Sequence, residues 1–268
     1  MLKDITLGQY FPGTTAVHRL DPRTKLTLTV VYIAALFTAK GVISYALMFC
    51  ALAACVAISK ISVKTILKSV KPILFVLIFT AILNILFTRG DDVLVRFWVI
   101  TVTREGLITA GYMMARLFML VTGTFLLTYT TSPLALTDGI EALLSPLKKI
   151  KLPVHELAMM MSIALRFIPT LIEEADKIMS AQKARGADFE TGNIIKRAKA
   201  MLPLLIPLFV SAFRRADELA VAMESRCYHG GEGRTRMKKL KMHAGDLLAF
   251  VYAAVILAAV ILLRQLGI

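Results

Sequence analysis

Two arginines stand where a positive charge is placed to recognise something outside the chain. Arg185 lies in SAQKARGADF, residues 180–189, and Arg226 lies in AMESRCYHG, forty-one positions later. A guanidinium is a planar fork of N–H donors that grips a carboxylate through two parallel hydrogen bonds. Each arginine closes a stretch of helical periodicity, where a cation also meets the partial negative charge of the helix C-terminus. One such end is an ordinary cap. Two of the same design form a pattern, because the residues before them align as well. EEADKIMSAQKARG (Glu173–Gly186) sits over RRADELAVAMESRC (Arg214–Cys227), with Ala175-Asp176 over Ala216-Asp217 and Ala181 over Ala222.

Helical steps back from Arg185 pass Gln182, Ala181, Ile178, Glu174 and Leu171. From Arg226 they pass Met223, Ala222, Leu219 and Arg215. Residues three and four apart share a face, so each helix carries a mostly small, apolar stripe finished by one arginine. Small residues let helices approach closely. Glu173-Glu174 in the first copy becomes Arg214-Arg215 in the second. These opposite charges are expected to pair where the two helices meet.

The elements that position this pair belong to a membrane protein. The 268 residues are 57% hydrophobic, with a mean hydropathy of +0.70, against about 45–50% apolar in soluble domains. The net charge of +14 then reads as lysine and arginine gathered in cytoplasmic loops. Nucleic acid is excluded as a partner, because the basic residues flank apolar runs and no nucleic-acid motif accompanies them. Apolar runs cover Leu26–Ala39, Val42–Ile58, Ile73–Thr88, Gly106–Thr131 and Asp246–Leu266. A spanning helix needs about 20 residues, with a range of about 17–25, so the first and third must borrow flanking residues. Between the second and third, Lys60, Lys64, Lys68 and Lys71 fall at helical spacing and predict a basic surface helix. RGDDVLVRFWVITVTRE reads as an external loop with a short hairpin.

The fold class expected is an all-α integral membrane protein, with about five transmembrane helices and long amphipathic cytoplasmic helices. Residues 1–131 form an N-terminal bundle of four spans, residues 132–245 a domain on the cytoplasmic side, and residues 246–268 a last span. The N-terminus lies inside, lacks the apolar core of a signal peptide, and the C-terminus lies outside. Within residues 132–245, LAMMMSIALRFIPTLI contains Arg166 and Pro169, and MLPLLIPLFVSAF contains Pro203 and Pro207. Both predict amphipathic helices at the membrane boundary rather than spans.

The segments IALRFIPTLIEEADKIMSAQKARG, PLFVSAFRRADELAVAMESRCY and GQYFPGTTAVHRLDPRTK resemble the transmembrane T component (EcfT type) of energy-coupling factor transporters, over essentially the whole chain. The resemblance implies a cell-membrane scaffold of an ABC-type importer of vitamins or metal ions. Its partners would be two ABC ATPase subunits, alike or different, one or more membrane-embedded substrate-binding S components, and the lipid bilayer. It also implies that two Ala-Arg-Gly-type motifs, here Ala184-Arg185-Gly186 and Ser225-Arg226-Cys227, end the coupling helices and dock into one ATPase each. Cys227 departs from the glycine of the pattern, so a left-handed cap is not expected at the second tip.

Arg116 sits inside GYMMARLFMLV, far from either end of its run. An ionisable group at such depth marks a functional site or snorkels to a polar partner. The methionines, Met159–Met161 among them, suit a surface that repacks against several partners. The three cysteines supply no disulfide framework, and His18, His155, His229 and His243 show no ligand spacing. No G-x-x-x-x-G-K-[ST] loop occurs, so this chain cannot itself cradle ATP phosphates in that way, and the resemblance implies that ATP hydrolysis falls to partner subunits. No cofactor and no catalytic residue is expected. The alternatives are a membrane enzyme using Arg116 on lipid or phosphate substrates, and a permease that works without ATPases.

Overall fold

The computed structural model describes residues 10–88, 92–97, 100–187, 189, 193–230 and 240–266. The basic residues Arg234, Arg236, Lys238 and Lys239, and positions 89–91 of the expected external loop, lie outside them. The chain packs as two units. The first comprises Gly8–Gly139 with Leu240–Ile268, and the second is built on Ile140–Lys239.

The first unit holds α1 (Ala16–Arg19), α2 (Pro22–Thr38), α3 (Gly41–Ser59), α4 (Val63–Val70), α5 (Leu74–Phe87), α6 (Arg104–Thr130) and α10 (Ala244–Gln265). Their ends are set by local chemistry. Asp21 accepts from the Arg23 amide at 2.9 Å, with Pro22 in the first turn of α2, where its missing N–H costs nothing. Thr103 accepts from the Gly106 amide at 3.1 Å and starts α6. Asp246 serves two helices. Its Oδ2 accepts from the His243 amide at 2.7 Å, capping α10, while its Oδ1 accepts from the Asp21 amide at 2.8 Å and ties α10 to the start of α2. Beside it the Lys25 ammonium donates to the Thr130 carbonyl at 2.8 Å, fastening α2 to the end of α6. His18, in α1, is held below the usual imidazole range chiefly by burial.

The core collects Leu36, Tyr45, Met48, Leu52, Met119 and Val260 from α2, α3, α6 and α10. Gly123 of α6 is required by close approach, since a Cβ there would lie 2.7 Å from the Tyr32 ring. Large apolar side chains elsewhere face outward, among them Phe75, Phe79, Phe87, Val255 and Leu262. Hydroxyls on these helices bond back to their own turn, as Thr80 does to Val76 and Thr122 to Phe118, which satisfies them without water.

Among the described residues five helices are long and apolar enough to cross a membrane: α3, the stretch Val63–Phe87, α6, α8 (Val154–Ala184) and α10. Membership of this set differs from the sequence expectation in two respects. First, α2 has only 17 residues, at the short limit of a span. Second, α8 joins the set, because Pro169 does not interrupt it and its first half is poor in charge. The third apolar run gains length from α4, which continues through a 3-10 turn, Lys71–Ile73, into α5. Pro72 has no N–H for the helical ladder, which accounts for the break. Strands β1 (Val93–Phe97) and β2 (Ile100–Thr103) form an antiparallel hairpin between α5 and α6, irregular between Val93 and Val95.

In the second unit, α7 (Pro133–Leu144) brings the chain from the first unit and a 3-10 turn, Ser145–Ile150, leads to α8; α9 covers Ile194–Glu224. His155 and Glu141 pair at 2.9 Å. Both α8 and α9 have 31 residues, about 46 Å of helix each. Pro203 and Pro207 lie inside α9, so the thirteen-residue apolar run is the middle of a much longer helix.

Candidate functional site

The repeated segments are the C-terminal halves of α8 and α9, and the helices touch along the stripe set by helical spacing. On α8, Leu171, Glu174, Ala175, Ile178 and Gln182 are partly or fully buried, while on α9 the same holds for Arg215, Leu219 and Met223. Ala181 and Ala222 remain exposed. The Arg215 guanidinium donates to Glu174 Oε2 at 2.7 Å, across an interval of 41 residues. That interval is the offset of the repeat itself. Glu174 and Arg215 are therefore equivalent positions, and each stands eleven residues before its own arginine. About 16 Å of helix separates the ion pair from either tip. Glu173 and Arg214 are exposed and carry no ion pair among the described residues.

The two tips close with the same hydrogen bonds. At the first, the Gly186 amide donates to the Lys183 carbonyl at 3.0 Å and the Ala187 amide to the Gln182 carbonyl at 3.0 Å. At the second, the Cys227 amide donates to Glu224 at 2.8 Å and the Tyr228 amide to Met223 at 3.1 Å. Each is a Schellman motif, with the arginine as the C-cap and the next residue left-handed. Gly186 has φ 87 and Cys227 has φ 55. This corrects the expectation that the missing glycine would deny the second tip a left-handed cap. The backbone bonds dictate the positive φ, and cysteine adopts it against the Cβ–carbonyl contact that disfavours it. Lys60 and Lys151 also end helical segments with a left-handed residue.

Ala184, Arg185, Gly186, Ser225, Arg226 and Cys227 are all exposed. Among the described residues neither guanidinium has a recorded hydrogen-bond or ion-pair partner. Ser225 stands where the first tip has Ala184, and its hydroxyl turns back to the Val221 carbonyl at 2.7 Å. Both tips thus offer one arginine on a rigid, capped helix end.

Arg116 belongs to the first unit. Its Nε donates to the Tyr45 hydroxyl at 2.9 Å. Its guanidinium carbon lies 5.6 Å from the centre of the Phe37 ring and 5.8 Å from that of Tyr45, within cation–π range. Phe37 and Tyr45 flank the Lys40–Gly41 turn between α2 and α3. The charge is therefore level with the end of that helical hairpin. Sequence reasoning did not identify Tyr45 or Phe37 as its supports. A tyrosine near a helix end, with an arginine inside a long apolar run elsewhere, is the signal that points to them. The Asp246 double cap and the His155–Glu141 pair were missed likewise.

Residues 13–237 match the family model described as a cobalt transport protein, CbiQ. The chain is similar to curated proteins named energy-coupling factor transporter transmembrane protein EcfT. With that of Thermosediminibacter oceani it shares 50% identity over 263 residues, 98% of this chain and 99% of the relative. With that of Clostridium kluyveri it shares 52% over 265 residues, 98% of each. With that of Bacillus subtilis it shares 48% over 264 residues, 98% of this chain and 100% of the relative.

Proposed function

The chain belongs to the CbiQ family, as an EcfT-type multi-pass membrane component of an energy-coupling factor transporter, and on that premise we propose that it couples two ATPase subunits to a substrate-binding S component. The observation that carries this reading is the matched pair of tips: one cap geometry, repeated at equal distances from one ion pair. Two equivalent probes on a common pivot suit two related partners. Each exposed guanidinium would enter an acidic groove on one ATPase, where its fork pairs with carboxylate. The C-terminal halves of α8 and α9, with their tips, would lie on the cytoplasmic side, where the lysines around them belong.

ATP binding would draw the two ATPases together and move both tips. The arms of α8 and α9 would carry that movement past the Glu174–Arg215 contact. Beyond the contact, α9 exposes Leu205, Ile206, Phe209 and Val210, an apolar face on which an S component can shift without breaking hydrogen bonds. Vitamin or metal-ion specificity would rest with the S component.

Co-purification tests the docking role. Tagged chain should bring down both nucleotide-binding subunits, and Arg185→Glu with Arg226→Glu should abolish the association. Full ATPase recovery with the double variant would overturn the assignment of the arginines as docking residues.

A further inference from the structure

Helix α4 has a surface that the coupling role leaves unused. Turning about its axis at 3.6 residues per turn, the packed flank comes first: Ile66 and Val70 are buried, and the Ser69 hydroxyl bonds to Tyr129 of α6. Val63 and Leu67 come next, apolar yet 62% and 55% exposed. Beyond them lie Lys71, Lys64 and Lys68, all exposed. This three-part order of packed, apolar-exposed and basic flanks suits a helix seated at the membrane boundary, with apolar residues toward the acyl chains and lysines among the headgroups. Long lysine stems cover apolar surface while the ammonium groups reach outward.

The charge has nothing of its own to answer it. No aspartate or glutamate occurs between Asp21 and Asp91, so α4 carries lysines with no acid beside them in sequence, while α3 and α5 carry no charged residue. The exposed apolar strip runs on into Leu74, Phe75 and Ile78 of α5, in a stretch long and apolar enough to cross the membrane. An acidic protein surface would answer the lysines but would leave Val63 and Leu67 facing water. A phospholipid answers both at once, with its phosphate on the lysines and its acyl chains on the apolar strip.

We propose that α4 is a binding site for anionic phospholipid headgroups, with Lys64, Lys68 and Lys71 as the phosphate contacts and Val63 and Leu67 seated at the acyl boundary. Lys60, which closes α3 in the left-handed conformation, extends the same patch. The site does not depend on the ATPase contacts of the arginine tips.

The test uses the full chain in bilayers. Its single tryptophan, Trp98, is changed to phenylalanine, and Leu67→Trp places a reporter in the apolar strip. Brominated phosphatidylglycerol should quench this reporter at roughly tenfold or more lower mole fraction than brominated phosphatidylcholine, since three lysines near an anionic surface each add about a few-fold to binding. Adding K64Q, K68Q and K71Q should bring the two lipids to equality, whereas the matching arginine variants should keep the preference. Reporter emission in pure phosphatidylcholine checks that α4 stays in place. Equal quenching by the two lipids before the lysines are changed, or an unchanged preference after it, overturns the proposal.

Discussion

The tips of α8 and α9 differ at one position that ought to matter, and the backbone treats them alike. Gly186 reaches a left-handed φ at no steric cost. Cys227 reaches the same region at a cost of roughly 1–2 kcal/mol, and its amide still bonds to Glu224 at 2.8 Å. The contrast shows what specifies such an end. The two backbone bonds of the Schellman motif and the arginine at the C-cap define the geometry, and glycine only eases it. The second tip therefore presents Arg226 as the first presents Arg185, with less stability in reserve.

Removing the glycine from the first tip breaks the comparison most strongly. Gly186→Val forces a β-branched residue into the left-handed region, where it is a genuine outlier, at a cost of about 2 kcal/mol. Hydrogen exchange of residues 180–189 should accelerate by roughly thirtyfold, while residues 221–230 in the same molecule stay unchanged. Equal acceleration at both tips would mean that the two caps are not independent.

The reverse change sharpens it. Cys227→Gly relieves the strain, but glycine also has more freedom to lose on folding, about 0.4–1 kcal/mol. The net gain should be about 0.5–1 kcal/mol, read as two- to fivefold slower exchange at the second tip. A faster exchange would place the stability of that tip in the thiol rather than in the cap.

The parts of this molecule legible in the sequence are those set within a few turns of helix. Apolar runs marked the bundle helices, the lysine stripe marked α4, and the repeat aligned α8 with α9 and both arginines. Three features lay outside that range. Pro169, Pro203 and Pro207 read as interruptions, yet each sits inside a 31-residue helix, because a proline removes one hydrogen bond and the remaining turns and packing hold the axis. The support of Arg116 by Tyr45 joins residues 71 positions apart, and the Asp246 cap on α2 reaches across 225. Neither partner is signalled by any local period. Cys227 misled for a different reason: residue preference is a weaker determinant of φ than two backbone bonds closing the same ring.

The contact midway between the arms gives the smallest effect, and it tests whether the tips act as a pair. Glu174 and Arg215 are 23% and 35% exposed, so water screens their attraction and the pair is worth at most about 1 kcal/mol. Glu174→Arg alone replaces that attraction with repulsion from Arg215, and should weaken ATPase association by about two- to fivefold. Arg215→Glu alone should do the same, against Glu174. The double reversal restores an opposite pair at the same two sites and should return association to within about twofold of the parent, with the recovery fading at high salt. Both tips should weaken together in the single variants, because each arm extends eleven residues from the same contact. If one single reversal affected only one ATPase, or the double reversal recovered nothing, the ion pair would be a local surface contact and α8 and α9 would present their arginines independently.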